Sequence, residues 1–261
     1  MMHFLSGERS RAGLLLMALS LIGGTGCITA SIVNSVQQRN REEAMREKIR
    51  AENAAMLRDA PQGNLAAMTR LGWFKVSGRR EGIAADPAGG LAMLEQAAAQ
   101  GDAAAENALG AILATGRPSV PAQPARGAEL LKRSATHACT VVRPDGWSEQ
   151  TAVTIARLYN AHRNDSPFDR GQAQLWYARA IIHCHAPIPY SLAPEAGADA
   201  AQRKVEALAW AMLAPGPVDR SRLEGMSPEQ VEAAEREALR LRQLVTASES
   251  TYPAPPASTR P

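Results

Sequence analysis

LAAMTRLGWFKVSGRREGIAADPAGGLAMLEQAAAQGDAAAENALGAILATG, residues 65–116, decides the fold. It reads as one helical hairpin and the first helix of the next. Gly78, Gly82 and Asp86 interrupt the first two helical runs, and Gly101 and Asp102 mark the turn into the third. Its apolar residues are mainly Ala, Leu and Met, strong helix formers, and β-branched residues are few. The whole chain shares that bias. Hydrophobic residues make up 45% of 261 residues, enough for a sizeable core, while aromatics are only 4%, so small side chains must build it. The net charge is +3, with Arg interleaved with Glu instead of clustered, which argues against nucleic-acid binding.

The hairpin recurs. Leu71-Gly72 reappears as Leu109-Gly110 and again as Ile155-Ala156. The partner helices superpose as well: DPAGGLAMLEQAA (86–98), QPARGAELLKRSA (123–135) and DRGQAQLWYARAI (169–181). Gly90, Gly127 and Ala173 share one position; Met93, Leu130 and Trp176 share another. Small residues at fixed places let helices approach closely while large ones fill the groove beside them. A fourth pair is KVEALAWAMLA (204–214) and SPEQVEAAEREALRLRQLV (227–245). Ser227, Pro228 and Gln230 there have the spacing of an N-cap, a first helical position and a capping box. The insertion CTVVRPDGWS (139–148) lengthens the spacing before the third pair.

The pattern resembles the Sel-one-like repeat, the short relative of the tetratricopeptide hairpin. Leu71-Gly72, Gly78, Gly82, Asp86, Ala97-Ala98 and Gly101-Asp102 carry the resemblance. It extends over residues 64–247 and implies an all-α solenoid of helical hairpins, closed by a charged capping helix. The resemblance implies a scaffold that docks a protein or peptide partner in the groove lined by first helices. Arg70, Lys75, Arg157 and Asn160 are the polar first-helix positions expected to face that groove. It further implies work in envelope assembly, cell-wall enzyme regulation or secretion machinery, with no catalytic group. Neither a Gly-x-Ser-x-Gly elbow nor a phosphate-cradling glycine loop is present, so the expectation is a non-enzyme without cofactor. Trp73, Phe74, Trp176, Tyr177 and Trp210 sit at packing positions of the repeat.

Residues 1–26 read as an export signal. Arg9 and Arg11 precede the apolar run Ala12 to Ile22, and small residues lead to Cys27. This resembles a bacterial lipobox, which implies cleavage before Cys27 and its acylation, palmitate included. Gly24 departs from the pattern, where Leu is usual. Ile28, in place of Asp, points by the same resemblance to the outer membrane, facing the periplasm. The alternative is an uncleaved inner-membrane anchor over residues 12–33, long enough to span a bilayer. Five Lys or Arg between Arg39 and Arg50 would then hold the repeats in the cytoplasm. Residues 27–63 predict an anchor and helical stalk, with Met45, Ile49 and Met56 on one stripe and Pro61 to Gly63 ending it. Residues 248–261 predict a disordered, Pro-rich tail.

With Cys27 acylated, Cys139 and Cys184 remain. Both fall near the ends of second helices in consecutive hairpins, which stacking sets side by side, so a disulfide is expected. A thiol and imidazole metal or redox site built from His137, Cys139, His183, Cys184 and His185 is the alternative, although adjacent helical residues diverge by about 100°. Free thiols are the third possibility.

Overall fold

The computed structural model describes residues 26–161, 169–187 and 199–259, with side chains from residue 34 to residue 258. The chain divides into two compact units, Met1–Ala54 and Ala55–Pro261. The export signal expected at 1–26 lies outside the described residues, apart from Gly26. Among the described residues no helix is long and apolar enough to cross a membrane.

The first unit holds most of α1 (Gly26–Asp59), a run without Gly or Pro after its first residue. At about 1.5 Å per residue it is about 50 Å long. Residues 34–48 are exposed throughout, and Met45 is 57% exposed, so the expected apolar stripe has no partner there.

The second unit begins with the last turns of α1, somewhat before the boundary at residue 64 expected from sequence. Met56 and Ala60 are buried in its core. A short 3-10 turn (Ala60–Gln62) and Gly63, at φ 84°, reverse the chain, and the Asn64 carboxamide accepts from the Ala67 N–H to start the next helix. Four hairpins follow. They are α2 (Leu65–Ser77) with α3 (Pro87–Ala99) and α4 (Ala103–Thr115) with α5 (Pro124–His137). Then come α6 (Thr151–Ala161) with α7 (Arg170–Cys184) and α8 (Ala200–Leu213) with α9 (Pro228–Ser248). Each pair packs internally, and the first three also pack second helix to next first helix, as a stacked array. In the fourth pair, α9 packs on both α8 and α7. The Ser227 capping box is present, with Pro228 in the first turn.

Glycines set the first two hairpins. A Cβ on Gly72 would lie 2.8 Å from the Gly90 carbonyl oxygen, and one on Gly127 would lie 2.4 Å from the Ala114 amide nitrogen. Real Cβ atoms do not approach backbone that closely, so these crossings require glycine. The third hairpin carries Ala156 and Ala173 instead, both fully buried. Hydrogen bonds join successive hairpins. Asp102 caps α4 at Ala105 (2.7 Å) and accepts from the Thr69 hydroxyl of α2 (3.1 Å), while within the second hairpin Ser134 donates to the Ala103 carbonyl (2.8 Å).

Two apolar cores result. One spans Met56 to Leu130; the other spans Ala114 to Val245, with Trp176 and Tyr177 at its centre. Each fully buried large aliphatic or aromatic side chain contributes about 1.5–3 kcal/mol.

Two segments differ from their sequence expectation. The insertion after α5 folds as a β-hairpin, β1 (Thr140–Val142) antiparallel to β2 (Ser148–Gln150), the one departure from all-α structure among the described residues. Thr-Val-Val has β propensity, and Asp145-Gly146 turns the strands with Gly146 at φ 91°. The Pro-rich tail, expected to be disordered, follows α9 with Tyr252 and Pro253 against α7 and with Pro255 buried. Low overall hydrophobicity misjudges it because one aromatic, Tyr252, packs on Trp176 with ring centroids 5.1 Å apart.

Candidate functional site

The two expected disulfide cysteines are joined. Cys139 follows the α5 cap and Cys184 ends α7, with Sγ–Sγ 2.09 Å and Cα–Cα 5.4 Å. Both are buried. Thr151 secures the same place, its hydroxyl donating to the Ala138 carbonyl and its N–H to that of Cys139 (3.1 Å). The histidines of the alternative metal site go elsewhere. His137 Nδ1 meets Glu106 at 2.8 Å, His183 Nε2 faces Glu249 at 3.4 Å, and His185 caps α7 at φ 51°. Bridged sulfurs are not thiolate ligands. Among the described residues no group of three His, Cys, Asp or Glu side chains could hold a metal.

The four first-helix residues expected to face a partner fall into two groups. Arg157 on α6 is exposed, whereas Arg70, Lys75 and Asn160 are half-buried. Lys75 has a structural task. Its ammonium reaches Asp86 at 3.0 Å, and Asp86 also accepts from the Gly89 N–H at the start of α3. That backbone bond and then Lys75 hold the Asp86 carboxyl below its usual range. The β-hairpin adds a polar-aromatic cluster. Arg143 and Arg117 each lie 5.9 Å from the Trp73 ring, and Trp147 and Val142 are exposed at 74% and 63%.

The most elaborate contacts lie on the other face, between second helices, where sequence reasoning placed only packing. The tail runs from α9 over α7 to α5. Arg179 is 2% exposed. It donates to the Ser248 hydroxyl (2.9 Å) and to the Pro253 carbonyl (3.0 Å), and its guanidinium lies 5.2 Å from the Trp176 ring. Lys132 of α5 lies 5.5 Å from the Tyr252 ring and 5.8 Å from that of Tyr159, and pairs with Glu129 at 2.7 Å. Burial opposes the Lys132 charge, but hydrogen bonds to Glu129, Tyr159 and Tyr252 outweigh it and raise the ammonium pKa. The lone aromatic of the tail was the signal in the sequence that pointed here.

One repeat earlier, between α3 and α5, the corresponding groove is open. It forms a cleft of about 300 Å³ lined by Glu95, Arg126, Glu129, Leu130 and Arg133, with Ala98 among its small residues. Beneath it, the carboxylate of Glu106 is 1% exposed and pairs with Arg133 (3.1 Å) as well as His137. Burial holds Glu106 above the usual carboxylate range, against the opposing pull of His137 and Arg133.

No protein-family model matches this chain, and no curated protein does. Among solved structures, it is similar to a protective antigen of uropathogenic Escherichia coli that displays an SLR fold. The identity is 17% and the TM-score 0.32, over 76% of this chain and 50% of the other, so the chain spans half the length of that structure.

Proposed function

We propose that this chain is a lipid-anchored scaffold or adaptor of the bacterial cell envelope, built on a Sel-one-like array. It docks a protein or peptide partner, performs no chemistry of its own, and is held by acylated Cys27 at the outer membrane, facing the periplasm. One observation supports this above the others: the array already holds an extended polypeptide, its own tail, through aromatic stacking and a guanidinium-to-carbonyl bond. The Cys139–Cys184 bridge suits an oxidising compartment such as the periplasm. The docking face is that of the first helices, with Arg157 its exposed polar residue and Arg70 and Asn160 beside it.

A photo-crosslinking residue at position 160, beside Arg157 on the same helix and introduced in cells, tests the reading. The expected result is one discrete envelope protein captured, and lost on Arg157→Glu. Capture of nothing, with Arg70→Ala/Arg157→Ala cells indistinguishable from wild type, overturns it. Cys27→Ala is expected to move the protein from the membrane to the soluble fraction.

The exposed helix of residues 34–48 favours a second reading, a structural lipoprotein of a transport or secretion complex. In that case Cys27→Ala abolishes function and first-helix substitutions are tolerated.

A further inference from the structure

Every arginine and lysine on the second helices α3, α5 and α7 is already committed. Arg126 pairs with Glu95, Lys132 with Glu129, Arg133 with Glu106 and Arg170 with Glu206, and Arg179 lies beneath the tail. On the side of the first helices the balance is different. Asp86 is taken by Lys75, and Arg143 takes both Asp145 (2.8 Å) and Glu149 (3.6 Å). Arg117, in the loop after α4, and Arg157 of α6 are exposed and meet no carboxylate among the described residues. Positive charge left over in this way favours an acidic partner.

Arg117 is also held in place. Its guanidinium and that of Arg143 both lie 5.9 Å from the ring of Trp73, which is half-buried on α2. A guanidinium stacked on a ring keeps its N–H edges available, and those edges match a carboxylate in paired hydrogen bonds. The edges of Arg143 face Asp145 and Glu149, whereas those of Arg117 have no acid to meet. Arg143 ties this corner to the turn of the β-hairpin, since its N–H donates to the Trp147 carbonyl (2.8 Å). The side chains of Trp147 and Val142 stand in solvent there. Exposed Trp beside Arg is the pairing of residue types that dominates binding energy at protein interfaces.

We propose that the corner where the β-hairpin meets Trp73 and Arg117 seats an acidic segment of a protein partner. One carboxylate of that segment lies on Arg117, and a neighbouring apolar side chain covers Trp147. An anionic lipid surface has the same charge, but it is a plane, and it would press its charge against the exposed Asp145 beside Trp147. A peptide segment sets its carboxylate on Arg117 and leaves Asp145 in water. The inference rests on the partner-docking reading and adds to it the partner's chemistry and the place that recognises it.

The test uses the full chain, ¹⁵N-labelled in neutral detergent micelles and titrated with the capped peptide Ser-Glu-Phe-Glu-Ser. Its Gln and Lys counterparts serve as controls. The indole N–H signals of Trp73 and Trp147 report, with that of buried Trp176 as reference. The expected result is a shift of both by the Glu peptide, about fivefold weaker binding of the Gln peptide, and none of the Lys peptide. Arg117→Gln is expected to abolish the preference for Glu over Gln, and Arg117→Lys to restore part of it. Trp147→Ser should weaken both peptides equally, and keeps the test open where Arg117→Gln disturbs Trp73. Equal binding of the Glu and Gln peptides overturns the proposal, as does a preference that Arg117→Gln leaves unchanged. The same shifts on adding phosphatidylglycerol to the micelles, without peptide, overturn it and assign the corner to an anionic lipid surface. The crosslink at position 160 reads the docking proposal separately. Capture there, with no acidic preference at the corner, removes this inference alone. An acidic preference with nothing captured in cells sustains the chemistry of the corner and removes the adaptor role.

Discussion

The two halves of the hairpin array solve the same packing problem with different residues. In the first two hairpins, α2 crosses α3 and α4 crosses α5 on paired glycines, so the backbones themselves are in contact. The third uses alanines at those positions and large aromatics around them. It is tied to the second by a disulfide and overlaid by the tail. Close glycine crossings gain dispersion contacts without side chains but tolerate no added atom. An alanine crossing leaves more room, which Trp176, Tyr177 and Tyr252 fill.

The largest difference between the halves should come from the bridge. Cys139→Ser/Cys184→Ser opens a loop of 45 residues, and the chain-entropy relation puts the loss at about 4 kcal/mol. Denaturant melts of the double variant, beside wild type with and without reductant, check this. A loss confined to the second core is expected by hydrogen exchange, and an equal loss in both would show that the halves unfold as one.

Next in size, Gly127→Ala drives a methyl onto the backbone of Ala114 and Gly110. About 1 kcal/mol gained in helix propensity leaves a net loss of about 2 kcal/mol. The matching change in the third hairpin, Ala173→Gly, clashes with nothing; it should cost about 1 kcal/mol in helix propensity and about 0.8 kcal/mol for the buried methyl, and should leave the helix crossing unmoved where Gly127→Ala shifts it. Amide chemical-shift changes along the backbone of the facing helix that are as large in Ala173→Gly as in Gly127→Ala would break the contrast between the two kinds of crossing.

Smaller again, Tyr252→Ala removes an aromatic pair worth about 0.5–1.5 kcal/mol beyond its burial. Near-ultraviolet dichroism of Trp176 and protease access to residues 249–259 should both change. The first core should melt as before.

The smallest effect is one of pH and belongs to the second hairpin. Glu106 has its folded pKa raised by burial, so the folded state binds more protons just above the ordinary glutamate range. Its contribution to stability is therefore present below the unfolded pKa and lost as pH rises through the folded one. Glu106→Gln should flatten that slope, measured as midpoint against pH, while leaving His137 and Arg133 without their carboxylate.

Much of this was open to sequence reading. Helix positions followed from Ala, Leu and Met runs punctuated by Gly, Pro and Asp. The capping box at Ser227 and the near-equivalence of Gly72, Gly110 and Ala156 were visible as spacing, because local backbone bonds and steric size act over few residues. The pairing of Cys139 with Cys184 needed only the knowledge that hairpins stack. The β-hairpin was seen as an insertion but not as strands, since three-residue strands carry too little periodicity to read.

What only the tertiary structure decided is which polar residues meet across hairpins. Lys75 is committed to Asp86, Glu106 is buried between Arg133 and His137, and Arg179 lies under a tail that composition alone would leave unfolded. Such contacts join residues as many as 74 positions apart in the chain. Their energy depends on exclusion from water, and burial of that kind is a property of the assembled helices, not of any local run of residues.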